Sequence, residues 1–131
     1  MACAVCGGSR IVFSVPEEYR THLTDDAPAR TFCTTCLTLE STSVEPETEP
    51  DFADVSDAFP TQPKRAVPLA LAVGLCSSLA TNRAAIESLL RAVERAGVDP
   101  LLVIDRLAAD PELESAIDLE RRAHQLEQWL Y

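Results

Sequence analysis

Four cysteines fall in two pairs, Cys3-Ala4-Val5-Cys6 and Cys33-Thr34-Thr35-Cys36, with 26 residues between them. Each C-x-x-C turn aims two sulfurs at one point, so two such turns can close a single tetrahedral metal site. All four positions are thiolates, which leaves no place for water on the metal. Closed sites of this kind are structural, whereas catalytic zinc keeps one position open. Thiolates suit zinc or iron. The expectation is one structural Zn2+ held by Cys3, Cys6, Cys33 and Cys36, with a rubredoxin-like iron site as the alternative. Gly7 follows the first pair and suits a tight turn. Leu37 stands at the equivalent place after the second, a less usual choice. A redox C-x-x-C is disfavoured because no βαβ pattern surrounds either pair.

The chain has 131 residues, room for one small domain or two undersized ones. A piece of about 40 residues buries too little surface to fold unaided and usually needs a metal or disulfides. The cysteine pairs lie in such a piece. Aromatic residues make up only 5% of the chain, so a core must come from Leu, Val, Ile and Ala. There are 21 acids against 11 basic residues, a net charge of −10, and Lys64 is the single lysine. An acidic surface opposes binding to phosphate backbones, because few cations are there to displace counterions. Acidic, lysine-poor surfaces also suit solvation in high salt, where screening shortens to about 3 Å in molar salt and that argument weakens. No basic-then-apolar leader precedes Cys3, and the apolar run Val67 to Ala80 falls short of the roughly 20 residues a bilayer needs. The expectation is a cytoplasmic protein with no membrane partner, in a reducing compartment where paired cysteines favour metal over disulfide.

Three segments differ in kind. Residues 1–43 read as the metal module, with a β-branched strand Arg10 to Val15 and a helical turn from Pro16 to about Leu23. A loop from Thr24 to Pro28 follows, and extended residues flank the second cysteine pair; a short β-hairpin results. Residues 44–63 carry six acids, four prolines and no basic residue, a linker composition. Within it Phe52, Val55 and Phe59 fall on one helical face, a docking turn expected to pack on the C-terminal helices or on a partner. Residues 64–131 read as a bundle of three to four helices. Helices are expected over about 66–80, with Pro68 in the first turn, and over about 82–96, capped by Asn82 or fused to the first. Ile86, Leu89, Leu90 and Val93 form an apolar stripe, and Gly97-Val98 reads as a Schellman stop. Asp99-Pro100 starts the next helix, its inner face Leu101, Leu102, Ile104 and Leu107. Asp110-Pro111 repeats the start signal for a last helix reaching the C-terminus. The fold class is therefore α+β: a small N-terminal four-cysteine zinc ribbon built on a short β-hairpin, followed by a mainly α-helical bundle.

The remaining chemistry-bearing residues point elsewhere. Cys76 sits in an apolar helical stretch and reads as a small buried hydrophobe. His22 can in principle replace a thiolate, but four cysteines are already present. His124 lies among Arg121, Arg122, Gln125 and Glu127 on a solvated face. No catalytic set can be nominated, and neither a G-x-x-x-x-G-K loop nor a G-x-G-x-x-G fingerprint occurs. Arg10, Arg20 and Arg30 beside Phe13, Tyr19 and Phe32 make a thin version of a nucleic-acid face; core rings and charge-balancing arginines explain them better. Trp129 and Tyr131 are expected to close the bundle, with a homodimer or partner contact as the alternative.

On Cys3-x-x-Cys6-Gly7 and Cys33-x-x-Cys36 the N-terminal module resembles a zinc ribbon. The whole chain resembles a family of short, uncharacterised haloarchaeal proteins. The likeness rests on Cys3-Ala4-Val5-Cys6-Gly7-Gly8, Ser56-Asp57-Ala58-Phe59-Pro60, Val93-Glu94-Arg95-Ala96-Gly97-Val98-Asp99-Pro100-Leu101-Leu102 and His124-Gln125-Leu126-Glu127. That resemblance implies a high-salt cytoplasm and a fold, and no functional residues beyond the four cysteines. Together these readings favour a non-enzymatic adaptor that binds another macromolecule, a protein. The alternatives are a nucleic-acid-associated transcription or translation factor using the ribbon, and a zinc-thiolate redox sensor.

Overall fold

The computed structural model describes residues 2–23, 25 and 27–130. Of the expected 24–28 loop, Thr24 and Asp26 lie outside the described residues, as does Tyr131. The N-terminal part is a three-stranded antiparallel sheet of β1 (Arg10–Ser14), β2 (Ala29–Cys33) and β3 (Leu39–Thr42), in spatial order β1-β2-β3. Ile11 pairs with Phe32, and Phe32 with Leu39, so one row of apolar side chains crosses the sheet. The expected hairpin thus gains a third strand. Its physical reason is β2, whose five residues are all buried. A buried central strand needs partners for its backbone groups on both sides, and β3 supplies the second side. A single turn, α1 (Glu17–Arg20), follows β1 and ends short of Leu23, with Pro16 as its cap rather than its first residue.

The linker contains a 3-10 turn, Phe52–Asp54, capped by the Asp51 carboxylate, which accepts from the Ala53 N–H at 3.0 Å. Phe52, Val55 and Phe59 are buried, as their spacing predicts. Aromatic neighbours from the sheet, which the spacing alone does not predict, join them. Phe52 lies 5.6 Å from Phe13 and stacks on Phe59 at 5.7 Å, and Phe59 lies 6.1 Å from Phe32. These rings share one contiguous core with helix residues such as Leu69, Leu71, Leu90 and Leu126.

The helical part comprises α2 (Pro63–Leu75), α3 (Leu79–Arg95), α4 (Pro100–Ala109) and α5 (Leu119–Leu130). Residues 66–96 form two helices, separated by a 3-10 turn at Cys76–Ser78. Asn82 is not the cap: it lies inside α3, and its side-chain amide donates back to the Leu75 carbonyl at 3.0 Å. α2 starts earlier than expected, with Pro63 in its first turn, so Pro68 sits within the helix. Its ring joins an unbroken buried run from Ala66 to Val73, which marks α2 as the central helix of the core. The stretch Pro63–Arg95 is long and apolar enough to cross a bilayer by length and composition alone, but 44% of its most apolar window is buried inside the protein.

The stop at Gly97 follows the expected Schellman geometry. Gly97 has φ +92°, its N–H donates to Glu94 and that of Val98 to Val93. Asp99 then caps α4 by accepting from the N–H groups of Leu101 and Leu102. The inner face of α4 is Pro100, Val103, Ile104 and Leu107, while Leu102 is exposed. The expectation that Leu102 faces inward fails because the i, i+3, i+4, i+7 face of a helix starting at Pro100 omits it. On α5, Leu119, Ala123 and Leu126 are buried. Trp129 packs half-buried on the core, with the Arg83 guanidinium 4.6 Å above its ring.

α2 crosses β3 so closely that a β-carbon at Gly74 would collide with the Leu39 side chain, starting at its own Cβ. That atom is fixed to the strand backbone and cannot swing away. Gly74→Ala is therefore expected to lower stability by about 1–3 kcal/mol through overpacking, measurable as a reduced urea midpoint with an unchanged m-value.

Candidate metal centre

The sheet brings the two cysteine turns together. β1 begins just after the first turn and β2 ends in the second, and Arg10 pairs with Cys33. The four sulfurs lie within 4.8 Å of one another, with Cys6 to Cys33 at 3.5 Å and Cys3 to Cys36 at 3.7 Å. All five cysteines are free thiols. A tetrahedral ion with metal–sulfur bonds of about 2.3 Å needs edges of roughly 3.8 Å. The four side chains fit such an ion.

The two turns are built alike. In the first, the Cys3 carbonyl accepts from Gly7 N–H at 2.9 Å, and Cys3 N–H donates to Gly8 at 2.7 Å. In the second, Cys33 accepts from Leu37 at 3.2 Å and donates to Thr38 at 3.0 Å. Backbone N–H groups also reach the sulfurs at 3.4 Å: Val5 to Cys3, Gly8 to Cys6, and both Thr35 and Cys36 to Cys33. The Thr38 hydroxyl lies 3.0 Å from Cys36, taking the place that the Gly8 N–H has in the first turn. At Cys3 and Cys36 hydrogen bonds of this kind pull toward the thiolate.

Both turns need a residue at positive φ, and this is where they differ. Gly7 adopts +77° without penalty, whereas Leu37 adopts +64°. A left-handed leucine costs roughly 1–2 kcal/mol. Leu37 is buried in the main core, and full burial of a leucine contributes about 1.5–3 kcal/mol, which offsets the strain. Gly8 is required for space: a β-carbon there would sit 2.8 Å from the Thr35 hydroxyl and 3.3 Å from the Cys6 sulfur. The close approach of the turns depends on it.

Exposure is uneven. Cys3, Cys33 and Cys36 are buried and Cys6 is exposed. The Cys3 thiol is lowered to about 7, chiefly by the Cys6 backbone N–H and next by that of Val5. Burial pushes the Cys36 thiol up to about 12. Binding a metal must therefore expel a whole proton from Cys36 below about pH 9, and part of one from Cys3 near pH 7. Protons released on binding make affinity rise with pH. Zinc affinity measured by chelator competition is expected to rise at least about tenfold from about pH 6 to pH 7, since one full proton gives a tenfold change per unit.

The other candidates lie apart from this cluster. Cys76 is buried in the core, and burial pushes its thiol up to about 12. The folded state then holds that proton more tightly than the unfolded chain, so this group costs stability only as pH rises above the free-thiol value. An alkylating reagent at about pH 8, near the free-thiol range, is expected to leave Cys76 unmodified in the native protein and to label it in denaturant, read by mass spectrometry. His22 lies beside Tyr19 and Arg95, away from the sulfurs, and His124 lines an open cleft with Asp105, Asp118 and Arg121. The three ribbon arginines are engaged: Arg10 with Glu40 at 3.3 Å, Arg20 with the Val15 carbonyl at 3.0 Å, and buried Arg30 with Asp25 at 3.0 Å. The Asp25 carboxyl is lowered, mainly by the Ala27 N–H and further by Arg30.

One part of the centre carries no signal in the sequence. Residues 110–118 form no helix; α5 begins at Leu119, with Asp118 capping it through the Arg121 N–H. The segment instead runs past the second cysteine turn, where Glu114 N–H donates to the Thr35 carbonyl and Ala116 N–H to the Cys36 carbonyl, each at 2.9 Å. Asp110 is held at the other end by the Ser56 hydroxyl at 2.7 Å and by Glu112 N–H at 2.9 Å. The Asp-Pro pair marks a local turn here, and the tertiary bonds override the helix signal.

No curated protein and no solved structure matches the chain. A family model matches residues 2–130, nearly the full length. The chain, with its clustered cysteines and α+β fold, belongs to that family, described as a family of unknown function (DUF6276).

Proposed function

We propose that the protein is a non-enzymatic adaptor: a zinc ribbon with one structural Zn2+ on Cys3, Cys6, Cys33 and Cys36, acting by binding another protein. The observation that carries this reading is the donor set. Four thiolates from one chain complete a tetrahedral ion and leave no position for water or substrate. The engaged arginines and the buried Phe13 and Phe32 favour a protein partner over nucleic acid, because a nucleic-acid face needs free cations and accessible rings. The acidic, lysine-poor composition supports a cytoplasm of high salt as its setting.

Metal analysis and affinity capture from native cells at native salt test the proposal. The expected results are one zinc per chain and a protein retained by the wild type. Binding to DNA or RNA at high salt, lost when Arg10 and Arg30 are changed to Glu, would instead support the transcription or translation reading.

A further inference from the structure

We infer that Cys6 is an oxidation site that unlatches the C-terminal helices, with a hydroperoxide as the oxidant and the 110–118 strap as the moving part. This rests on the zinc-ribbon reading above. Two independent features carry it.

The first is the asymmetry of the sulfurs. Susceptibility of a cysteine follows its thiolate character and its exposure. Cys6 is the one exposed cysteine of the four, while Cys3, Cys33 and Cys36 are buried. A resolving thiol is in place: the Cys33 sulfur is 3.5 Å away, closer than the 3.7 Å between Cys3 and Cys36. The Cys6 thiolate attacks one oxygen of hydrogen peroxide. An S–O bond forms, the O–O bond breaks and hydroxide leaves. The sulfur is oxidised by two electrons and the peroxide is reduced by two. The Cys33 thiolate then attacks the Cys6 sulfur. The S–S bond forms, the S–O bond breaks and a second hydroxide leaves, and each hydroxide takes a proton from solvent to become water. Two thiolates remain, Cys3 and Cys36, half of a tetrahedral ligand set.

The second feature is what the second turn holds. Thr35 and Cys36 lie in the turn that Cys33 opens, and their carbonyls accept the N–H groups of Glu114 and Ala116. Those two bonds tie the strap between α4 and α5 to the metal centre. Drawing Cys33 toward Cys6 moves the turn that carries both acceptors. Leu113 and Ile117 of the strap pack half-buried on the core, so its release bares apolar surface beside α5. Oxidation at one exposed sulfur is thereby converted into a change at the opposite end of the sequence.

The test treats the zinc-loaded full chain with stoichiometric hydrogen peroxide. Disulfide mapping, zinc release into a colorimetric chelator and amide exchange are then followed together. The expected result is a Cys6–Cys33 disulfide, loss of the zinc, and loss of protection at the Glu114 and Ala116 amides while those of α2 stay protected. Cys6→His keeps a nitrogen ligand and removes the exposed thiol, so it is expected to retain zinc at the same dose. If that variant fails to fold, the wild-type disulfide map and amide pattern decide alone. A first disulfide between Cys3 and Cys36 would overturn the inference. So would zinc loss with both strap amides still protected, or full zinc occupancy after peroxide. An untreated protein without zinc would instead defeat the zinc-ribbon reading itself.

Discussion

Stripping zinc from the loaded protein with a strong chelator is expected to unravel residues 2–9 and to loosen the second cysteine turn while the helices persist. The reason is how the turns are packed. Cys3, Cys33 and Cys36 form a small buried cluster of their own, separate from the main core. Besides the sulfurs, the Ser9 carbonyl holds the first turn to the second, accepting from both the N–H and the hydroxyl of Thr34. Ile11, Phe13 and Phe32, by contrast, belong to the core that includes the helices. The strands beyond the turns should therefore stay attached when the metal leaves. Zinc at about 1,000 times its dissociation constant stabilises a fold by about 4 kcal/mol. For a chain of this size that is a Tm change on the order of 10 °C. Far-ultraviolet circular dichroism should keep most of its helical signal, and thermal melts should shift downward and recover when zinc is returned. A melt unaffected by chelator would contradict the assignment of a structural ion.

The second large effect is expected at Phe52. It is fully buried, lies 5.6 Å from Phe13 of β1 and stacks on Phe59 at 5.7 Å. Few aromatics are present, so the rings of Phe13, Phe32, Phe52 and Phe59 form a connected chain with no substitute. Phe52→Ala removes the middle of it and leaves a cavity. Such truncations cost about 3–5 kcal/mol, against a total of about 5–15 kcal/mol for a typical domain. Chemical denaturation should show the loss as a much lower midpoint, while Ala53→Ser on the exposed side of the same turn should change little. An equal effect of the two substitutions would mean that the linker turn is not part of the core.

Much of this is legible in the residues because local rules and tertiary packing agree. The cysteine spacing, the Gly97 stop, the Asp99 cap and the buried set Phe52, Val55 and Phe59 each follow from a short pattern. Where the structure departs, a long-range partner outweighs the local signal. Asp110-Pro111 carries the same signature as Asp99-Pro100, yet Asp99 starts a helix whereas Asp110 ends α4 and starts none. Asp110 commits its carboxylate to Ser56, 54 residues away in sequence, and the N–H groups of Glu114 and Ala116 go to Thr35 and Cys36. β3 is legible only at its start, where extended residues leave the second cysteine pair. Leu39 to Thr42 is a weak strand sequence that is ordered by the needs of β2 on one side and by α2 at Gly74 on the other. Pro68 lies within α2 rather than in its first turn because Pro63, which closes a linker-like composition, already starts the helix.

The uneven sulfurs are also beyond sequence reading. Both pairs share one pattern, and only the fold leaves Cys6 outside and Cys36 covered. The covered thiol explains why metal binding should depend steeply on pH. The exposed one marks where the centre meets its surroundings.

X-ray absorption at the zinc edge, on protein purified without added metal, reads the ligand shell of the four-sulfur ion itself. The expected result is one zinc per chain with four sulfur neighbours at about 2.3 Å and no nitrogen or oxygen in the shell. A shell with fewer than four sulfurs, or a protein that carries no metal, would contradict it.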